Sequence, residues 1–237
     1  MRRRSRTPTA VLRRRRAVAR VPGERTFRTV ALLVRALLTP VCTIESQGAE
    51  LPASGPLLIA ANHLSVIDPL VLGVTVVVRG RIPRFVVRPG LLEAPVVGWV
   101  SRLLLPLPVE PVSGDYGATL SAAADTLRRG ECVVIYPEGH LTRRCDQLPE
   151  RGRPGVAWLA ATTGVPVTPV GHWGAQQVWR FGRTALLRWP LRRARAVVCF
   201  GEPLTLSRST TAADLVAATE RVMAAVTRQV TVAARRR

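Results

Sequence analysis

The stretch Leu57-Leu58-Ile59-Ala60-Ala61-Asn62-His63-Leu64-Ser65-Val66-Ile67-Asp68-Pro69 decides the fold. Its first five residues are apolar without alternation, which marks a strand covered on both faces, as in parallel sheets. Asp68-Pro69 then predicts a helix running to about Val78, with aspartate as N-cap and proline at the first helical position, where its fixed φ suits a helix. Strand, polar loop and helix in that order form the opening of an α/β unit. In such units chemistry gathers at the carboxyl ends of the strands, so the loop after Ala61 is the first place to look.

The same alternation extends in both directions. Helices are expected over Glu24–Thr39, Leu91–Leu104, Gly117–Arg129, Gly155–Thr163 (closed by Gly164) and Ala212–Thr231. Strands are expected over Arg84–Arg88, Leu107–Val109, Cys132–Tyr136, Pro166–Val170 and Ala194–Phe200. Short apolar strands between helices predict an α/β fold, with a mostly parallel central sheet flanked by helices and an N-terminal amphipathic helix. In that first helix Phe27, Val30, Ala31, Val34, Leu37 and Leu38 share a face that suits either the protein core or a lipid interface. No internal repeat is present. The expected organisation is a basic flexible tail at residues 1–23, one domain at 24–232 and a second basic tail at 233–237.

Charge is distributed unevenly over the 237 residues. All 35 basic residues are arginine, and the formal net charge is +20. Setting aside nine arginines within residues 1–20 and the three at the C-terminus leaves a surplus of eight on the rest. With 47% apolar residues the chain is no disordered polycation. Its tails suit an anionic lipid surface or nucleic acid, or are a bare arginine-rich extension.

Cys42, Cys132, Cys145 and Cys199 are scattered without C-x-x-C spacing, so neither a metal site nor a disulfide framework is expected. Cys132 and Cys199 fall in apolar strands and read as small core residues in a reduced compartment. The apolar stretch Thr29–Ile44 is cut by Arg35 and Pro40. A second, Leu91–Val109, carries Glu93, Arg102 and three prolines, so neither gives the ~20 apolar residues of a membrane span. No cleaved export signal is expected either.

Two loops carry the candidate chemistry. In the first, a turn into the helix brings Asp68 back towards His63, where a carboxylate fixes the tautomer of a histidine base; Asp68 as a simple helix cap and His63 as a loop histidine remain the plainer alternative. In the second, Tyr136-Pro137-Glu138-Gly139-His140-Leu141-Thr142-Arg143-Arg144, arginines beside flexible backbone suit a phosphate or form an exposed basic turn.

Taken together, Asn62-His63-Leu64-Ser65-Val66-Ile67-Asp68, Tyr136-Pro137-Glu138-Gly139 and Val165-Pro166-Val167-Thr168-Pro169-Val170 resemble the ordered N-H-x-x-x-x-D, F/Y-P-E-G and V-P-V-x-P-V blocks of the lysophosphatidic acid acyltransferase (1-acylglycerol-3-phosphate O-acyltransferase) family, within the glycerolipid acyltransferases. The similarity runs over about residues 24–205, and Trp173-Gly174-Ala175-Gln176 is similar to the family's actinobacterial branch. The resemblance implies acyl transfer from acyl-CoA or acyl-carrier protein to a lysophospholipid hydroxyl, giving phosphatidic acid. His63 would be the general base and Asp68 its orienting partner, with no protein nucleophile. Asn62 and Ser65 belong to the same substrate-binding loop. Glu138 and Gly139 would shape the acceptor pocket, and Arg88, Arg143 and Arg153 would stand around substrate phosphates. No metal or bound cofactor is implied. The implied setting is peripheral, on an anionic membrane surface at the cytoplasmic face of the cell membrane.

The chain departs from the family pattern at three places. His140 replaces a threonine, Pro111 stands where an arginine commonly follows a strand, and no basic residue accompanies Trp158. These departures keep open an acyltransferase of another alcohol, or a non-catalytic relative that binds membrane or nucleic acid. His172 and Trp173, just after a strand, read as packing or rim groups. Trp179, Phe181 and Trp189 lie among arginines, a pattern seen at membrane interfaces and in single-strand nucleic-acid binders; beside the acyltransferase blocks the membrane is the expected partner and nucleic acid is not.

Overall fold

A computed structural model describes residues 24–87, 90, 93, 107–108, 116–180, 183–184 and 193–236. The basic tail 1–23, the expected helix Leu91–Leu104 apart from Glu93, and the residues Arg88, Pro111, Phe181 and Trp189 lie outside this set.

The strands are β1 (Cys42–Gly48), β2 (Leu57–Ala61), β3 (Pro83–Val87), β4 (Leu107–Pro108), β5 (Cys132–Ile135), β6 (Val167–Trp173), β7 (Trp179–Arg180), β8 (Arg183–Thr184) and β9 (Ala194–Phe200). The helices are α1 (Glu24–Leu38), α2 (Asp68–Val78), α3 (Tyr116–Arg128), α4 (Gly155–Thr163) and α5 (Ala212–Arg235). Among the described residues seven strands form one sheet in the order β1-β9-β6-β2-β5-β3-β4, and β7 and β8 form a small hairpin. β6, β2, β5, β3 and β4 run parallel; β9 is antiparallel to β6 and parallel to β1. The sheet is thus mostly parallel, with its reversal at one side.

Each central strand feeds two cores because successive side chains point to opposite faces. Leu58, Ala60, Val133, Ile135, Val197 and Cys199 face a core closed by α3, α4 and α5. Leu57, Ile59, Ala61, Cys132, Val134 and Val198 face a second core closed by α1 and α2. Cys132 and Cys199 are core residues as expected, and burial pushes the Cys132 thiol up to about 12.

Three differences from the sequence expectation have physical reasons. β1, CTIESQG, carries no apolar pattern because it is an edge strand with four exposed positions, held by seven register pairs from Cys42↔Ala194 to Gly48↔Phe200. α5 continues to Arg235, so most of the expected tail 233–237 is helical: Ala233 is fully buried and anchors the last turn to the core. Asp68 is the first residue of α2 rather than its cap; Ile67 holds the cap position without a side-chain bond.

The site follows from which way the chain leaves the sheet. β2 and β5 are parallel neighbours, yet β2 leads into α2 on one face and β5 leads towards α4 on the other. Neighbouring strands whose connections diverge in this way open a crevice at their carboxyl ends.

Candidate active site

Both polar loops of the sequence emerge at this crevice. His63 follows β2, and its Nδ1 lies 3.2 Å from Asp68 Oδ2. The same oxygen accepts the backbone N–H groups of Leu64 and Ser65, each at 2.6 Å. Asp68 is completely buried, whereas the His63 side chain keeps 17% of its surface exposed. A carboxylate gripped by two amides has no freedom to wander. It holds the imidazole with Nδ1–H inward, and Nε2 is then the basic atom. The Tyr136 ring stacks against His63 with centroids 4.2 Å apart and planes within 14°. Burial, reinforced by the charge of Asp68, keeps the Tyr136 phenol well above its ordinary range and hence neutral.

The other polar residues of the first loop are spent on protein. Asn62 links β2 to β6 through two bonds: its Nδ2 donates to the His172 carbonyl at 3.0 Å, and its Oδ1 accepts from His172 N–H at 2.9 Å. Ser65 Oγ donates to the Trp179 carbonyl and accepts from Ile67 N–H at 3.3 Å. Its hydroxyl is therefore occupied within the fold rather than aimed at a substrate.

Glu138 joins the two loops. Oε1 accepts from His63 N–H at 3.1 Å, while Oε2 accepts from Thr142 Oγ1 at 2.7 Å and from Glu150 N–H at 2.9 Å. Burial raises its pKa, and the three donors oppose that shift. Gly139 turns the chain at φ 70°, a left-handed conformation that costs glycine nothing. Beyond it Thr142 N–H donates to the His63 carbonyl at 2.7 Å and Arg153 N–H to the Pro137 carbonyl at 2.8 Å. The segment 139–153 is pinned to the centre by its backbone, while the side chains of Arg143 and Arg153 are exposed.

Eight of the nine expected site residues are described, and all eight belong to this connected pair of loops; Arg88 lies outside the described residues. His140 is half-exposed, with Nδ1 3.1 Å from the Leu141 carbonyl. Sequence reasoning missed Thr142 and Glu150 as partners of Glu138, the stacking of Tyr136, and the position of His172. His172 lies within β6, wholly buried, with Nδ1 3.3 Å from Asp68 Oδ1. Only the β2–β6 register, which pairs Ala61 with Val170, brings it there, and that register has no local sequence signal.

A geometry of this kind serves proton transfer: an oriented imidazole with one face on an aromatic ring and a buried carboxylate behind it. Among the described residues no group of three or more His, Cys, Asp or Glu is placed to hold a metal ion. A family model for acyltransferases matches residues 43–173, which span β1 to β6 and contain both loops.

The chain belongs to the acyltransferase family.

Chloroplastic 1-acyl-sn-glycerol-3-phosphate acyltransferases of Brassica napus and Arabidopsis thaliana are 28% and 27% identical over 151 residues, covering 62% of this chain. The chain spans about two fifths of the length of these curated relatives, 42% and 41%. The crystal structure of the 1-acyl-sn-glycerophosphate acyltransferase of Thermotoga maritima shares the fold, with a TM-score of 0.63 at 22% identity, covering 88% of this chain and 78% of that one. Within this acyltransferase-family chain, the matched segment closes at Trp173, one residue past His172.

Proposed function

We propose that this chain transfers a fatty acyl group from the thioester of acyl-CoA or acyl-carrier protein to the free hydroxyl of lysophosphatidic acid, producing phosphatidic acid. The observation that carries the reading is the His63–Asp68 pair at the crevice between β2 and β5, in a chain whose family transfers acyl groups. The names of the two plant relatives support the choice of acceptor.

In this reading His63 Nε2 takes the proton of the acceptor hydroxyl as its oxygen attacks the thioester carbonyl. The resulting imidazolium is stabilised by Asp68 through Nδ1–H, as in other histidine–aspartate pairs. Collapse of the tetrahedral intermediate breaks the C–S bond, and His63 returns its proton to the departing thiolate. The products are an ester and a free thiol, and His63 is again neutral. Ser65 takes no part as nucleophile because its hydroxyl is buried and donates to Trp179. Arg143 and Arg153, exposed on the loop tied to Glu138, receive the acceptor phosphate through bidentate guanidinium bonds. The reaction calls for no metal or resident cofactor.

The protein works from the surface of an anionic membrane, peripheral to its cytoplasmic face. Leu32, Leu33 and Leu37 of α1 are 56%, 60% and 76% exposed, on a helix whose Phe27, Ala31 and Leu38 are buried. Such a helix offers a second apolar stripe to lipid while remaining docked on the protein. Among the described residues no helix is long and apolar enough to cross a membrane.

The test is an acceptor panel with purified protein and long-chain acyl-CoA or acyl-carrier protein, products being read by mass spectrometry. Phosphatidic acid from lysophosphatidic acid, in preference to phosphate-free lysolipids, is expected. Folded protein that acylates only another alcohol contradicts the acceptor assignment, and protein that acylates nothing contradicts the enzyme.

A further inference from the structure

Asp68 is held asymmetrically. Oδ2 meets His63 Nδ1 and two backbone amides, whereas Oδ1, equally buried, has no hydrogen bond of good geometry among the described residues. A buried carboxylate oxygen left without a donor is costly, so native folds supply one. The group beside it is His172, whose Nδ1 lies 3.3 Å away and whose two ring nitrogens are likewise buried without a hydrogen bond.

We propose that His172 is a positioning residue of the acyl-transfer centre: its neutral imidazole donates Nδ1–H to Asp68 Oδ1, so that Asp68 bridges two histidines and presents Oδ2 to His63. The inference rests on the acyl-transfer reading for its kinetic consequence, but not for the hydrogen bond itself.

Three observations support it besides the distance. The backbone of His172 is clamped on both sides by Asn62, the residue preceding His63, so the two imidazoles are fixed to one frame. Behind it, Gly171 allows α5 to pack directly on β6, since a Cβ there would lie 2.1 Å from Val230 N. Next to a glycine-tight contact, the strand has no slack to carry His172 away from Asp68. Finally, the groups that face the ring are Asp68, His63, the edge of Tyr136 at 6.3 Å and Asn62. Burial lowers the His172 pKa, with the opposing pull of Asp68 second and His63 adding to the lowering, so the ring is neutral and holds a single proton. A neutral donor steadies the carboxylate without placing a second positive charge beside the His63 imidazolium. This division of labour makes one histidine titrate and keeps the other silent.

The test compares His172→Phe, which removes the donor, with His172→Asn, whose amide nitrogen can occupy the place of Nδ1. His172→Phe is expected to lower kcat by roughly 10- to 100-fold, the scale of a misaligned catalytic group, with little change in KM for the acceptor. His172→Asn is expected to restore most of that loss. In an Asp68→Asn background His172→Phe should cost almost nothing further, because both changes break one unit. An equal loss in both backgrounds, or no difference between Phe and Asn in folded protein, overturns the proposal. Nitrogen-15 NMR of histidine-labelled protein reads the bond without turnover: a neutral Nδ1–H tautomer for His172 at neutral pH, with its resonance moved by Asp68→Asn, supports it. An Nε2–H tautomer, or a resonance that Asp68→Asn leaves in place, overturns it. If wild-type protein transfers no acyl group at all, the function assignment falls and the NMR result alone decides the hydrogen bond.

Discussion

In the loop after β2, Asn62, Ser65 and Asp68 are completely buried and their polar atoms are turned onto the protein; in the loop after β5, Arg143 and Arg153 stand in solvent while only the backbone around them is tied down. The two loops meet at Glu138, which accepts donors from both. Under the proposed function the difference separates two tasks. A group that moves a proton needs a fixed tautomer and a fixed angle, so its neighbours are locked inside the fold. A group that recognises a mobile anionic headgroup is served by long charged side chains on an anchored base, free to close around it. Substitutions on the two sides should therefore fail differently.

The largest effect is expected at Asp68. Asp68→Asn removes the charge that holds His63 as a base and should reduce kcat by about 10³- to 10⁴-fold in steady-state assays, with KM for the acceptor moved far less. An equal rise in KM would erase the distinction between the loops.

Glu138→Ala strikes their junction. Three donors, His63 N–H, Thr142 Oγ1–H and Glu150 N–H, lose their acceptor, so a loss of roughly 2–4 kcal/mol is expected, visible as a fall of about 5–15 °C in the thermal midpoint. The pH dependence has a definite sign. Burial raises the folded pKa of Glu138 above its ordinary 4.5, so the ionised group costs stability at neutral pH. That cost shrinks as pH falls through the raised folded pKa and is gone below the unfolded value. Thermal melts of wild type and Glu138→Gln from pH 7 to 4.5 should show wild type gaining on the variant as pH falls; a constant gap contradicts the assignment.

Smaller and of another kind are the arginine effects. Arg143→Ala and Arg153→Ala should each raise KM for a phosphate-bearing acceptor by about 10- to 100-fold, leave kcat nearly unchanged, and matter less at high salt. An unchanged KM in both would remove recognition from this loop. The smallest effect is expected from Leu32, Leu33 and Leu37 replaced together by serine: about tenfold weaker partition onto anionic vesicles in sedimentation, with activity on detergent-dispersed acceptor intact.

The contrast between the loops also explains what could be read in the sequence. The apolar runs Leu57–Ala61 and Cys132–Ile135 are buried on both faces and declare themselves as parallel strands, so the α/β class and the positions of both loops were legible. His63 and Asp68 were legible as a pair because they sit five residues apart in one turn. Cys42–Gly48 was not, since an edge strand held by backbone pairing needs no apolar code. Nor was the role of His172, which stands 110 residues from its partner Asn62 and meets Asp68 only through sheet register. Local pattern reports burial and turns; the far side of a carboxylate is set by topology.

The role of His63 as the base is tested by single-turnover acyl transfer to lysophosphatidic acid by wild type and His63→Ala, with folding checked by circular dichroism. The His63 side chain is partly exposed and its hydrogen bond goes to Asp68, while its backbone N–H, which an alanine keeps, holds Glu138, so the variant should fold and still bind acceptor. Wild type is expected to form phosphatidic acid, and the variant to do so at a rate lower by at least about 10³-fold. Transfer at the wild-type rate by folded His63→Ala would contradict that role.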